Sequence, residues 1–408
     1  MGEPRQQRGA AFHRLDTDEE TSFSEEQEQR ELLRTPTKLK FRTIDTDLSY
    51  VPADAGEGVD RWNGQGGHQP EELPLSGAER YIKAVSYGLM NMVVGVPAMI
   101  AFTSIIFRDP QFHDPHIFPQ LVKLVLFSGF VHQVVFSASS SLTFAIGQVQ
   151  DAGLIFLSAM ATLVVNDTEN FPEGTAFADR LPTVLISLSL GTAALGAALI
   201  VTGHLQLASY VQYLPLPVIG GYMAFIGLFC GEAGLSLMLP TGETIDGLFN
   251  VSRMVEQWTL LLTVDAAGHI LPGVLLGLGL YWVVTTYRHY LVLPSAMLAI
   301  PLGFYCVVGI GGWSMTELRQ EGWLANVTVQ GDWYDTWELL DVSKMQWSIL
   351  PSLFPTWLAM YFVVSFGSCL DVAAIQLDMG RRLNFNHELT TVGLSNLISG
   401  VTGGFTGS

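Results

Sequence analysis

Nine apolar segments constrain the fold of this chain more than any other feature, because most of them approach the length of a bilayer-spanning helix. They cover 86–107, 119–138, 152–165, 182–203, 216–238, 269–287, 291–310, 347–367 and 388–401. A hydrocarbon core of about 30 Å requires about 20 apolar residues in helical conformation. Hydrophobic residues make up 49% of the chain and charged residues only 14%. The pattern predicts an all-α polytopic membrane protein rather than a soluble enzyme.

The third apolar segment is too short to span a bilayer alone, and a polar stretch precedes it. The chain there places Gly147, Gln148 and Asp151 between two apolar runs. Ionisable residues at membrane depth are costly and usually face a cavity or a pathway. Non-helical backbone is tolerated at that depth only where it is buried or water-lined, and transporters use such broken helices as binding sites. The break therefore predicts a transporter.

Asp151 has two interpretations at this break. A half-helix that begins near Asp151 points its positive N-terminal end into the protein, and that end attracts anions. Asp151 is either a structural cap of this end or a ligand for a cation or proton, and the two roles can coexist. In both cases a resident carboxylate competes with an anionic substrate for the same helix end.

Two later polar clusters resemble parts of the same kind of site. Ser368 and Asp371 lie three residues apart near the end of the eighth segment, so they share a helix face. Asp371 is either a helix-end acid that reaches water or a site for a coupling ion or proton. A glycine-rich stretch after the ninth segment resembles a second break and supplies the hydroxyls of Thr402, Thr406 and Ser408. Paired broken helices in two halves of a chain point to a transporter site.

Residues 1–80 are polar and cannot bury a core, so they are predicted to form a disordered acidic cytosolic tail. Within this tail, Glu28, Leu32 and Leu33 match an acidic dileucine sorting signal, and a short charged helical turn is the alternative. The net charge of −18 argues against nucleic acid as a partner. The sequence contains no metal-ligand cluster, cofactor motif or nucleophile motif, so we expect neither a cofactor nor an enzyme.

Three stretches resemble the SulP family of sulfate permeases and anion transporters. Residues 85–97 resemble the first span of the family, 214–227 resemble the fifth, and 386–408 resemble the segment that leads into the tenth. The resemblance covers 80–408. It implies a fold of seven plus seven helices in an inverted repeat, with the substrate between the third and tenth half-helices and the first and eighth spans alongside. The chain would then be the N-terminal part of a longer protein, with the remaining spans and any STAS domain beyond Ser408.

The residues around the first break depart from the pattern of the anion-transporting members. Those members usually have a Val-Gly-Pro type turn before the third half-helix, whereas Gly147 is followed here by Gln148. This departure resembles the fungal and protist branch, which includes vacuolar proteins implicated in storing basic amino acids. It implies a cationic or zwitterionic amino acid as cargo, coupled to protons, at a vacuole-like membrane.

The sequence assigns roles within this expected secondary transporter. Asp151 and Asp371 are the predicted cation or proton sites, and Gln148, Ser368 and Thr406 are the predicted substrate contacts. A sulfate or other anion transporter is the first alternative, and a non-transporting membrane sensor or scaffold is the second. The plasma membrane is the alternative location, and a homodimeric arrangement stays open.

Overall fold

The structure is a computed structural model that describes residues 77–142, 145–171, 175–208, 210, 216–239, 254–287, 289, 291–324, 331–379 and 383–408. The predicted sorting signal at Glu28, Leu32 and Leu33 lies outside these residues, as does most of the predicted tail. The described part forms a compact unit over residues 73–408.

The predicted apolar segments are helices, and two short helices accompany them. In chain order the helices are α1 (Gly77–Ile106), α2 (Phe118–Ser139), α3 (Asp151–Val165), α4 (Phe177–His204), α5 (Leu216–Leu237), α6 (Met254–Leu261), α7 (Val264–Thr286), α8 (Val292–Gly311), α9 (Met315–Gln320), α10 (Leu350–Met379) and α11 (Phe385–Val401). Six helices of the described part are long and apolar enough to cross a membrane. The predicted all-α polytopic fold is confirmed.

The first helix begins earlier than the hydropathy of the chain indicates. α1 starts at Gly77, although the first apolar segment was predicted to begin at residue 86. Its first turns contain polar residues such as Glu79 and Arg80, so a prediction based on apolar runs does not include these turns. The last residues of the predicted tail are therefore helical.

The buried core of the described part lies among α1, α2, α3, α4, α10 and α11. Half of the most apolar window of α4 is buried, whereas none of the corresponding window of α7 is buried. The apolar side chains that α7 exposes include Leu275, Leu278 and Tyr281. In a membrane protein, exposed apolar side chains on such a helix suit contact with lipid tails or with other apolar helices.

Small residues bring α4 and α11 together, and no pair of helices in the described chain has a larger contact. A Cβ atom on Gly196 of α4 would lie 2.2 Å from the backbone nitrogen of Leu397. A Cβ atom on Gly400 of α11 would lie 2.3 Å from the backbone nitrogen of Ala193. Small residues of this kind allow the backbones of membrane helices to approach closely.

An irregular segment, 331–349, covers one end of α2, α4 and α11. The indole Nε1 of Trp337 donates a hydrogen bond to the carbonyl of Thr402 at 2.8 Å. Lys123 Nζ donates to the carbonyl of Asp332 at 3.0 Å. Lys344 Nζ lies 2.8 Å from a carboxylate oxygen of Asp179, and this contact raises the pKa of Lys344. The segment is thus tied to three helices of the core.

Candidate substrate site

The two predicted breaks meet and pair as antiparallel backbone. The backbone N–H of Gln148 donates to the carbonyl of Ser408 at 3.2 Å, and the backbone N–H of Ser408 donates to the carbonyl of Gln148 at 3.0 Å. The amide of Gln150 donates to the carbonyl of Thr406 at 3.2 Å, and Val149 faces Gly407 in the resulting bridge. Because these stretches are not helical, their backbone N–H and C=O groups lack helical hydrogen bonds. The pairing satisfies these groups, which lipid could not do.

Side chains of α2 and α11 hold the second break in place. The buried ring of His132 has Nδ1 at 3.0 Å from Ser395 Oγ and Nε2 at 3.0 Å from the carbonyl of Phe405. The side-chain Nδ2 of Asn396 donates to the carbonyl of Gly407 at 2.7 Å, and its Oδ1 accepts from the backbone N–H of Gly407 at 3.0 Å. A Cβ atom on Gly407 would lie 2.3 Å from the His132 ring, so only glycine fits there.

His132 is therefore a local hydrogen-bonding residue that positions the second break. The buried carbonyl of Phe405 also accepts from Ser399 Oγ at 2.9 Å, so His132→Ala removes one of its two hydrogen bonds. We expect this loss to cost about 0.5–1.5 kcal/mol before the lost ring packing is counted. The midpoint of thermal unfolding in detergent should fall by several degrees. His204→Ala is the matched control, because His204 is exposed and its ring, within the described part of the chain, bonds to the carbonyl of Ile200 in its own helix. Equal midpoints for the two variants would contradict this role.

Side chains of α2 and α11 also hold the chain that leads into the first break. The side-chain amide of Gln133 accepts from the N–H of Gly147 at 2.9 Å and donates to the carbonyl of Ala145 at 3.0 Å. A Cβ atom on Gly147 would lie 2.3 Å from the backbone nitrogen of Gln133, so the backbone of Gly147 packs directly on α2. Near the end of α2, the buried carboxylate of Glu388 accepts from Ser140 Oγ at 2.7 Å. These contacts fix the position of the chain that leads to Asp151 at the start of α3.

Asp151 lies at the N-terminal end of α3, where the sequence predicts a helix break. It is the first residue of α3, and its Oδ1 accepts a hydrogen bond from the N–H of Ala152 at 2.7 Å. Its side chain is nevertheless exposed. Asp371 on α10 is also exposed, and it lies one turn after Ser368, whose hydroxyl contacts Ser408 of the second break. Neither carboxylate forms an ion pair within the described part of the chain.

Three predicted hydroxyl residues lie around the paired breaks. The buried Ser368 has its Oγ 3.1 Å from Ser408 Oγ. Thr406 is fully buried, and its Oγ1 lies 3.1 Å from that of Thr192 on α4. A Cβ atom on Gly153 would lie 3.2 Å from the side chain of Thr406, so the first turn of α3 touches the second break. The structure thus brings the hydroxyls of Ser368, Thr406 and Ser408 beside the start of α3.

A model of the sulfate permease family matches residues 82–408, which include every helix from the first span to the second break. The chain belongs to the sulfate permease family. It is therefore an integral, multi-pass protein of a transporter family and not an enzyme.

Two known proteins resemble this sulfate permease family member. The vacuolar basic amino acid transporter VSB1 of Saccharomyces cerevisiae is 25% identical over 340 residues, which are 79% of this chain. The chain covers only 30% of the length of that relative. The solved transmembrane domain of a cyanobacterium bicarbonate transporter, BicA, has a TM-score of 0.52 at 19% identity. The likeness covers 79% of this chain and 72% of the BicA chain, and it concerns the fold alone.

The arrangement in this family member differs from the sequence prediction at three residues. Thr402 lies apart from the other predicted site residues, because it ends α11 and its hydroxyl donates to the carbonyl of Ile398 at 2.8 Å. Gln148 joins the site through its backbone pairing with Ser408, and its side chain is half-buried. Thr192 was not predicted, since a threonine among small residues of an apolar helix carries no distinguishing pattern in the sequence.

Proposed function

We propose that this protein is a proton-coupled secondary transporter that moves a basic amino acid across a vacuole-like membrane. The observation that carries the proposal is the position of Asp151, whose carboxylate already binds the first-turn N–H of Ala152. The positive end of α3 is therefore occupied by a negative charge of the protein itself. An anion has to compete with this carboxylate, whereas a cation is attracted by it.

A second carboxylate supports the coupling of protons to cargo in this proposal. Asp371 lies one turn after Ser368, which contacts the paired breaks that lead to Asp151, and neither carboxylate is paired with a basic side chain within the described residues. Their mutual repulsion is relieved when one of them takes up a proton or a cationic group. Proton and cargo therefore compete for the same pair, and the gradient of one can drive movement of the other.

The yeast relative supports the cargo and the membrane in this proposal, since its name describes a vacuolar transporter of basic amino acids. The hydrogen-bonded breaks support a mechanism in which core helices move together, by an elevator or rocking motion. The chain around Asp151 is bonded to α2, to α11 and to the second break, so a movement of one break carries the other with it.

Uptake into sealed vesicles tests the proposal. Labelled arginine and labelled sulfate are offered side by side to vesicles that contain the full-length protein and carry an imposed pH gradient. We expect arginine uptake that collapses when the gradient is dissipated, with sulfate uptake at the level of empty vesicles. Sulfate uptake with no arginine uptake would overturn the proposal.

A sulfate or other anion transporter is the second candidate. It is favoured by the family itself and by the hydroxyls of Ser368, Thr406 and Ser408, which lie beside the start of α3 and include donors that an oxyanion can use. In that case Asp151 acts as a cap of α3. Inhibition of uptake by sulfate but not by arginine distinguishes this candidate from the first.

A further inference from the structure

Gln150 has a buried side-chain oxygen that no described protein group satisfies. The residue is 6% exposed, and its Oε1 is a buried side-chain atom without a hydrogen-bond partner among the described residues. Buried polar groups in folded proteins are almost always hydrogen-bonded, so each exception needs an explanation. A buried group without a hydrogen bond is unfavourable, and a ligand that supplies the missing donor recovers this free energy.

Both backbone polar groups of Gln150 form hydrogen bonds, so its side-chain oxygen is the acceptor that lacks a partner among the described residues. Its N–H donates to the carbonyl of Thr406 at 3.2 Å, and its carbonyl accepts from the N–H of Gly153 at 3.1 Å. Gln150 is the N-cap residue of α3, yet its side chain forms no capping hydrogen bond. The backbone pairing fixes this residue at the point where the two breaks join α3.

The orphan oxygen is adjacent in the chain to the carboxylate of Asp151. The amide oxygen of Gln150 and the carboxylate are both hydrogen-bond acceptors. A ligand that satisfies both must bring more than one N–H donor and a positive charge. A guanidinium group has five donors in a planar fork, and an ammonium group has three donors on a single atom.

We propose that Gln150 is a specificity-determining residue, whose side-chain oxygen accepts a hydrogen bond from the cationic side chain of the cargo while Asp151 holds its charge. The inference rests on the proposed function, because it assigns a residue to the recognition of a basic amino acid. It also explains why the protein keeps a buried acceptor that its own groups leave unsatisfied.

The test replaces Gln150 by Met, which has a similar unbranched shape but no strong acceptor. Uptake in vesicles gives KM and Vmax for arginine and for lysine, and thermal unfolding in detergent gives the stability of each variant. We expect KM for arginine to rise about tenfold, the loss expected for a hydrogen bond to a charged group. We expect KM for lysine to rise less, because an ammonium group can direct all its donors elsewhere. The unfolding midpoint should stay the same or rise, since an unsatisfied polar group has been removed from a buried position.

Ser158→Ala is the matched control. Ser158 lies two turns further along α3, is 2% exposed, and its Oγ is also without a partner among the described residues. Its substitution should leave KM unchanged. Gln150→Asn is the second variant, because it keeps an amide but withdraws the oxygen by one carbon, and it should also raise KM for arginine.

The outcomes separate this inference from the proposed function. Absence of arginine uptake by the wild-type protein counts against the proposed function. Wild-type arginine uptake with an unchanged KM in both Gln150 variants overturns the inference alone. A fall in the unfolding midpoint of both variants without a change in KM would also overturn it, because Gln150 would then serve the structure and not the cargo.

Discussion

Replacing Asp151 by Asn will abolish uptake of a basic amino acid while the amount of folded protein stays the same. Asn keeps a side-chain oxygen that can accept from the N–H of Ala152, so the hydrogen bond at the start of α3 survives. What disappears is the negative charge that, in the proposed function, attracts the cation and exchanges the proton. Without this charge the site lacks both the attraction for the cation and the proton-exchanging group, so we expect a loss of at least about a hundredfold in uptake rate.

Asp179→Asn provides the matched control for this substitution. Asp179 is an exposed acid outside the site that pairs with Lys344 at 2.8 Å, and an exposed pair of this kind contributes little to stability. Uptake by the control should stay close to that of the wild type. Full arginine uptake by the Asp151→Asn protein would show that Asp151 is only a cap of α3.

Replacing Gly196 by Ala will destabilise the contact between α4 and α11. The added Cβ atom would lie 2.2 Å from the backbone nitrogen of Leu397 and 2.6 Å from the carbonyl oxygen of Gly393. Both neighbours are backbone atoms, so no side-chain rotation relieves the clash and the two helices must separate. Overpacking usually costs about 1–3 kcal/mol and more where the backbone has to move. The midpoint of thermal unfolding should therefore fall by several degrees.

The same substitution at Gly277 separates this clash from the general effect of glycine in a helix. Gly277 of α7 is exposed and has no atom within 4 Å of an added Cβ. Gly277→Ala should leave the midpoint unchanged or raise it slightly, because alanine favours helix by up to about 1 kcal/mol. A Gly196→Ala protein as stable as the Gly277→Ala protein would contradict the close approach of α4 and α11.

The spans and the first break could be predicted from the sequence because each depends on local composition. An apolar run near the length of a bilayer span forms a helix for reasons contained in that run. The polar stretch before Asp151 interrupts such a run, and α3 begins at this residue in the structure. The glycine-rich stretch after α11 was likewise predicted as a second break, and it is non-helical.

Contacts between distant parts of the chain could not be predicted in the same way. The pairing of Gln148 with Ser408 joins residues that are far apart in sequence, and nothing near either residue specifies its partner. The hydrogen bonds of His132 and the contact of Trp337 with Thr402 depend on the packing of several helices. The orphan oxygen of Gln150 is evident only when the surroundings of its side chain are known. The residue types around the breaks could be predicted from the sequence, whereas tertiary packing decides which of them meet.

Ligand-induced stabilisation of the purified protein tests most directly the claim that the site is built for a cation. A ligand at a hundred times its Kd stabilises the folded state by about 2.7 kcal/mol, which raises the unfolding midpoint measurably. We predict that arginine raises the midpoint of the wild type in a concentration-dependent way, that it has no such effect on Asp151→Asn, and that sulfate has none on either protein. A midpoint raised by sulfate and unaffected by arginine would contradict the account.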